Sequence, residues 1–362
     1  MIFNLRVKSE DKITEILKKI APGTPIRNGL ENILRARTGA LLYFTDNEEN
    51  INKLVDGGFT INEDFTPSKL YELAKMDGAI VLSADMKKIL FANAELLPDS
   101  SIATVETGTR HRTAERTARQ TGELVISISQ RRNIITIFID NERYVLEDTS
   151  VVLNKANQAI QTLEKYKKVF DSKLNILNEY EFNDIVTLEN VISVIQRAEM
   201  VMQIVNEIER QIAELGNDGR LVDMQLEQLV AGLENEEELI IKDYKIIEDK
   251  TIEQSIDEII NLTYEDLLKD QNIAKILGYD SFADFDEVGV YPRGYRILSK
   301  IPRMPNNIVE NLVQGFESFQ HIIDASIEDL DNVEGIGEVR ARNIKNSLSR
   351  MQEQFVFDNM IN

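Results

Sequence analysis

No cysteine and no tryptophan occur among the 362 residues, and there are only two histidines. Without cysteine, disulfides and thiolate metal sites are excluded. Proline is scarce, with none between Pro98 and Pro292, and no glycine falls between Gly122 and Gly216. From about residue 150 this stretch without helix breakers carries helical periodicity, so an all-helical segment is expected there. No apolar run is long enough to span a bilayer, and Met1-Ile2-Phe3-Asn4-Leu5-Arg6 carries no signal-peptide core. The expectation is a soluble, cytoplasmic protein that does not engage membranes. Positive charge is also in deficit: 41 Lys and Arg stand against 62 Asp and Glu, a formal net charge of −21. Such a chain does not coat nucleic acid by bulk attraction, so any polyanion must be held by a local patch or by backbone donors.

What is present supports folded cores, with 43% hydrophobic residues. Three segments are expected: an α/β domain over 1–147, an all-α middle over 148–288, and a C-terminal helix-hairpin-helix domain over 289–362. In the first, Ser9 is placed to cap a helix carrying Ile13, Ile16, Leu17 and Ile20, and Thr24-Pro25 and Thr66-Pro67 read as N-cap plus first-turn proline. Strand-like runs are 40–44, 79–83, 89–92, 124–128, 134–139 and 143–146, the last two joined by an Asp140-Asn141-Glu142 turn. The pattern predicts a mixed central sheet flanked by helices. In the middle segment, Leu188, Ile192, Ile195, Ala198, Met202, Val205, Ile208, Ile212 and Leu215 step by three or four, a helix–helix core pattern. Residues 231–260 hold ten acids and three lysines, which reads as a solvated face.

Two constellations carry chemistry. Thr107-Gly108-Thr109-Arg110-His111-Arg112-Thr113-Ala114-Glu115-Arg116 concentrates glycine, threonine, arginine and one histidine between a strand and a helix. Glycine admits close backbone approach, a helix start adds N–H donors and a positive dipole end, and arginine forks match phosphate oxygens. Thr109, Arg110 and His111 read as loop residues ahead of the helix, whereas Arg112, Glu115, Arg116 and Arg119 are spaced as a solvated helix face, a reading that fits Arg116 and Arg119. Met76-Asp77-Gly78-Ala79 sets a carboxylate at the entrance to an apolar strand, able to orient or deprotonate a hydroxyl or bind a metal, although Asp-Gly before a strand is usually only a turn. Ser129, Arg131 and Arg132 end another strand, either lining the same cleft or lying on the surface.

In the tail, Val333-Glu334-Gly335-Ile336-Gly337 between two helices has the pattern of a helix-hairpin-helix, whose backbone N–H groups hold a DNA phosphate without reading bases. Arg340, Arg342 and Lys345 follow on the second helix. A proline-containing hairpin at Ile301-Pro302-Arg303-Met304-Pro305 lacks the glycines and is expected to contribute less.

Asp77-Gly78-Ala79 and Gly108-Thr109-Arg110-His111-Arg112-Thr113-Ala114, about thirty residues apart, together resemble the paired signatures of the diadenylate cyclase family. With the helical middle and the hairpin tail, the resemblance covers essentially the whole chain. It implies condensation of two ATP into cyclic di-AMP and two pyrophosphates, with Mg²⁺ or Mn²⁺. By that resemblance Asp77 orients the 3′-hydroxyl and is a metal ligand; Gly78 and Ala79 pack near the nucleoside; Leu96 borders the adenine. Thr109, Arg110, His111 and Thr113 hold phosphates and stabilise developing charge, Gly108 and Arg112 belong to the same cradle, and Ser129 is a further phosphate contact. It also implies a face-to-face pair of domains within a homo-octamer, binding to branched DNA such as Holliday junctions, and a bacterial, nucleoid-associated location. The rival reading is a non-catalytic, nucleotide-responsive protein that binds DNA structures. A junction-processing ATPase or nuclease is disfavoured, because no Gly-x-x-x-x-Gly-Lys-[Ser/Thr] sequence occurs.

Overall fold

Threonine hydroxyls start the helices where the sequence signals them. In the computed structural model, which describes residues 12–246, 249–279 and 284–361, Thr24 accepts from the Arg27 N–H and Thr66 from the Lys69 N–H, each with proline following. These begin α2 (Pro25–Arg35) and α4 (Pro67–Leu73), with α1 (Lys12–Lys19) before and α3 (Glu48–Leu54) between. The Ser9 cap lies outside the described residues. α1 buries Ile13, Ile16 and Leu17 as the spacing requires.

Among the described residues, eight strands form one mixed sheet. They are β1 (Ala40–Phe44), β2 (Val55–Asp56), β3 (Phe59–Asp64), β4 (Ala79–Leu82), β5 (Lys88–Leu96), β6 (Val125–Ser129), β7 (Ile134–Ile139) and β8 (Glu142–Leu146). Their order is β2-β5-β4-β1-β6-β7-β8, with β3 also on β5. Only β1 and β4 pair in parallel; the other pairings are antiparallel. The short β2 and the polar β3 have no alternating signal in the sequence, and Asn62, at φ +48, sits within a register shift of β3.

The period of two divides the sheet into two cores. Ala40, Leu42 and Phe44 of β1, Ile80 and Leu82 of β4, and Ile126 and Ile128 of β6 face α1, α2 and α4. Leu41, Tyr43, Ala79, Val81 and Val125 face Ala114 and Ala118 of α5 (Thr109–Thr121). The N-terminal unit is thus an α/β domain with helices on both faces.

The remainder is helical: α6 (Thr149–Asn183), α7 (Leu188–Leu215), a 3₁₀ turn at Gly216–Gly219, α8 (Arg220–Val230), α9 (Leu233–Tyr244), α10 (Ile252–Ile260), α11 (Tyr264–Leu267) and α12 (Asp270–Leu277). Then come α13 (Tyr295–Ser299), α14 (Asn306–Gly315), α15 (Phe319–Asp324), α16 (Ile327–Asp331) and α17 (Glu338–Ile361). The chain packs as two compact units. Among the described residues, those from Lys12 to Ala159, with Asn206–Gln225, form one; Ile160–Val205, with those from Leu226 onward, form the other.

In the second unit the hairpin region shares its core with α6, where Phe182 meets the Phe319 ring edge-on at 5.4 Å. A buried ionic cluster joins the same elements. Arg296, fully buried on α13, pairs with Glu181 and donates to Asn178 Oδ1 at 2.6 Å, while the Tyr244 hydroxyl donates to Glu181 at 2.7 Å. Asp243 accepts from the backbone N–H groups of Gly294, Tyr295 and Arg296 at 2.7–3.0 Å and so caps α13. Burial nevertheless pushes its carboxyl up to about 7.

Removing one partner of a buried pair strands the other charge. Arg296→Met is expected to cost about 3–5 kcal/mol in urea unfolding, and adding Glu181→Leu is expected to recover much of it. A variant as stable as the parent would show that the pair carries no such penalty.

Candidate functional site

One edge of the sheet gathers the signature residues, and strand direction is the reason. Because β1 and β4 are parallel, the segments entering them arrive side by side. The register Leu42↔Ile80, counted back, sets Gly39 level with Asp77. The antiparallel register Ala40↔Ile128, continued by one, sets Gly39 level with Ser129. Ala79 pairs with Ala94, so the end of β5 that carries Leu96 arrives at the same edge.

Local backbone explains the Asp-Gly step. Gly78 has φ +87, and a Cβ there would lie 2.7 Å from the Ala94 carbonyl oxygen. Only glycine both adopts that conformation cheaply and admits the neighbouring strand so closely. Asn93, beside it, has φ +55 where the β4–β5 register shifts. Asp77 is left fully exposed. Ala79 and Leu96 are buried, 1% and 6% exposed, in the core under α5. Leu96 therefore supplies an apolar wall at this edge rather than an open face.

Thr109, Arg110 and His111 form the first turn of α5 and not the preceding loop; Gly108 is its N-cap, with extended backbone and no side-chain cap. The first intrahelical bond runs from Arg112 N–H to the Gly108 carbonyl at 2.9 Å. Ahead of it the N–H groups of Thr109, Arg110 and His111 lack helical acceptors, and no acid stands in the first turn. The result is an anion-receptive helix end. Thr109 and Arg112 are exposed and Thr113 half-buried. Arg110 reaches back over the sheet edge until its Nη2 lies 4.0 Å from Asp77 Oδ1. The two signatures thus meet at a carboxylate and a guanidinium.

His111 takes a different position from its neighbours. Its ring turns under the helix, 8% exposed, with Nδ1 hydrogen-bonded to Ser127 Oγ at 3.2 Å and its edge on Phe138 at 6.2 Å. Nε2 has no partner among the described residues. Burial, reinforced by Arg132, Arg143 and Arg110 and opposed by Glu106, holds the imidazole below its ordinary value of 6.5. A neutral ring facing the sheet follows, not an exposed imidazolium. Ser129 Oγ accepts from the Arg132 N–H at 3.1 Å and shapes the turn that presents exposed Arg131 and Arg132.

The expectation of a solvated face for Glu115, Arg116 and Arg119 is corrected. Glu115, 4% exposed, accepts from Thr104 Oγ1 and pairs with Arg119 at 2.7 Å. Arg116 and Arg119 donate to the carbonyls of Ile102 and Ala103 at 2.9 and 2.7 Å, and Arg143 holds Glu106 at 2.6 Å. These contacts strap the 97–107 loop along α5. Sequence reasoning missed this strap, as well as Gly39 and Asn93. A glycine immediately before a strand was the available signal for Gly39.

The C-terminal hairpins repeat at an offset of 32 positions. Val333 N–H bonds the Leu330 carbonyl as Ile301 bonds Leu298; Ile336 bonds Val333 as Met304 bonds Ile301; Ala341 bonds Gly337 as Val309 bonds Pro305. Gly335 at φ +81 answers Arg303 at φ +61. The first hairpin thus has the second one's geometry although it lacks the glycines. Ile336 is buried in the shared core, Gly337 is exposed, and Arg340 closes on the Gly335 carbonyl. Arg342 is exposed and paired with Glu338 at 2.6 Å. Lys345, expected to face DNA, instead donates to the carbonyls of Ile323 and Ala325, closing the end of α15.

Among the described residues no cluster of three or more histidine or carboxylate side chains could hold a metal, and none forms a helix long and apolar enough to cross a membrane. Asp77 offers an exposed carboxylate beside the start of α5. That donor set fits an ion carried mainly by substrate phosphates, as Mg²⁺ commonly is.

The family model described as the DisA bacterial checkpoint controller nucleotide-binding region matches residues 27–143, that of the DisA linker region matches 146–285, and the helix-hairpin-helix motif matches 318–347. Among similar curated proteins, the DNA integrity scanning protein DisA of Acetivibrio thermocellus is 55% identical over 97% of this chain and 97% of its own length. That of Clostridioides difficile is 56% identical over 95% of this chain and 96% of its own. That of Clostridium tetani is 54% identical over 99% of both.

The depressed His111 imidazole has a consequence for stability. Below pH 6.5 the unfolded chain takes up a proton that the folded ring resists, so folding weakens as pH falls from 6.5 through the lowered folded value. His111→Gln is expected to remove that part of the acid slope in urea unfolding measured from about pH 8 to 5; parallel curves for the two proteins would contradict it.

Proposed function

Because the chain belongs to the DisA family of DNA integrity scanning proteins, we propose that it condenses two ATP into cyclic di-AMP and that its paired hairpins hold DNA phosphates. The observation that carries the first part is the meeting of Asp77 and Arg110, 4.0 Å apart, beside a helix start with free N–H donors. In each of two steps a 3′-oxygen forms a bond to the α-phosphorus of the other nucleotide, and the bond from that phosphorus to pyrophosphate breaks. The hydroxyl proton passes to Asp77 or, through it, to solvent. Uncapped N–H groups of α5, the Thr109 and Thr113 hydroxyls, and Arg110 bind the triphosphate and meet the charge that builds on the transferring phosphoryl group. His111, neutral and fixed on Ser127, supports the helix start from beneath.

Each domain holds one ATP, so reaction requires two copies facing each other. The full exposure of Asp77 suits a site completed by a second copy. Mg²⁺ or Mn²⁺, when bound, would be held by the triphosphate together with Asp77 and would supply charge neutralisation. The octamer and the preference for branched DNA, such as a Holliday junction, follow from the family resemblance. The repeated hairpins support the DNA part unequally: the second turn, with Gly335 and Gly337, offers backbone N–H donors to a phosphate, whereas Pro305 of the first has no N–H at the position that matches Gly337. Arg340 and Arg342 flank the second one.

Asp77→Asn is expected to lower cyclic di-AMP formation by at least about 100-fold while ATP binding changes little, read by product mass and by nucleotide titration. ATP bound by the unaltered protein with no cyclic product would favour the non-catalytic, nucleotide-responsive reading instead. For the hairpin, a Cβ at Gly337 has open space, the nearest atom being an Asp331 carboxylate oxygen at 4.0 Å. Gly337→Asp is therefore expected to fold normally and to weaken DNA binding by about tenfold, with the salt slope reduced by about one. Undiminished junction affinity in a gel-shift assay would count against a phosphate contact there.

A further inference from the structure

Gly39 lies where the signature elements meet, yet it belongs to neither signature. In register it stands between Asp77 on one side and Ser129 on the other. A Cβ built on Gly39 would fall 2.2 Å from Arg110 Nη1, 3.0 Å from Arg110 Cζ and 3.2 Å from the Ile128 carbonyl oxygen. The guanidinium therefore occupies the space that any side chain at 39 would take. From that same position its other nitrogen reaches to 4.0 Å from Asp77.

From this geometry we propose that Gly39 is a positioning residue for the nucleotide reaction: its missing side chain leaves open the corridor through which Arg110 reaches Asp77. The inference rests on the cyclase reading above. Alternative reasons for glycine here are weak. Its φ lies outside the left-handed range, unlike that of Gly78, so its backbone does not demand glycine. The fixed obstacle, the Ile128 carbonyl, is tight by only a few tenths of an ångström. The severe overlap is with the far end of a flexible side chain, which can swing away. An added methyl group is thus accommodated by the fold and excludes only the observed Arg110 conformation. To restore ordinary contact, near 3.5 Å, the guanidinium must withdraw by more than about 1 Å. A displacement of that size at a group meeting transition-state charge costs about 100-fold in rate.

The test is a double-substitution cycle on the full chain, with ATP and Mn²⁺ as substrate and cyclic di-AMP as readout. Gly39→Ala is expected to keep its melting temperature within about 3 °C, to lose about 100-fold in kcat, and to keep KM for ATP within about threefold. In an Arg110→Ala background the same change is expected to cost less than about twofold, because its target is already gone. An undiminished kcat for Gly39→Ala, with Arg110→Ala impaired, overturns this proposal alone. Equal losses in both backgrounds also overturn it, since Gly39 would then act independently of Arg110. Wild-type turnover by Arg110→Ala itself refutes the parent reading and this inference with it. If Gly39→Ala lowers the melting temperature, Arg110→Ala is expected to restore it; a loss not so relieved places the fault in the strand and overturns the proposal.

Discussion

The parallel pairing of β1 with β4 is the constraint on which the candidate site depends. In a sheet otherwise built of antiparallel neighbours, it is the one pairing that brings two strand entries to the same edge. The antiparallel neighbours β5 and β6 then deliver their exits to that edge. A glycine entry at 39, an Asp-Gly entry at 77–78 and the Ile128-Ser129 exit become adjacent, although they are scattered over ninety residues of chain. Reversing β4 would carry Asp77 to the far edge and separate the two signatures.

The two faces of the sheet have unequal tasks. Under α1, α2 and α4 the buried side chains are mainly aliphatic and aromatic, with Arg27 of α2 a buried charge beside them. Under α5 it admits His111, Ser127, Thr117 and Thr136, all buried, and His111 Nε2, Thr117 Oγ1 and Thr136 Oγ1 lack partners among the described residues. Each such orphan costs about 1–3 kcal/mol. That polar seam lies beneath the helix whose start offers uncapped N–H groups. The strap of Glu115, Arg116, Arg119 and Arg143 on the 97–107 loop holds the same helix from outside.

The hairpin region shows the same economy by repetition. Two turns share a hydrogen-bond pattern although one uses Gly335 at its left-handed position and the other Arg303. A non-glycine residue there costs about 1–2 kcal/mol, so the fold imposes this turn against local preference. Asp243 and Arg296 anchor the first of these hairpin helices through buried charge. Lys345 is spent on the end of α15 rather than on a partner.

Much was legible before folding. Apolar runs located β1, β4, part of β5, β6, β7 and β8, threonine-proline pairs located α2 and α4, and glycine-containing turns located the helix break at 216–219 and the second hairpin. These features are local, set by periodicity and backbone chemistry within a few residues. The edge strand β3, polar and bulged, carried no such signal. Nor did the inward turn of His111, the burial of Glu115, the diversion of Lys345 or the corridor over Gly39. Each depends on what packs opposite. A helix face is visible in its own spacing, but whether an arginine or histidine on it meets water, a carbonyl or a carboxylate is decided by strand order and register between segments far apart in sequence. The chain by itself determined which residues could bind a phosphate; only the tertiary structure decided which of them stand together to do so.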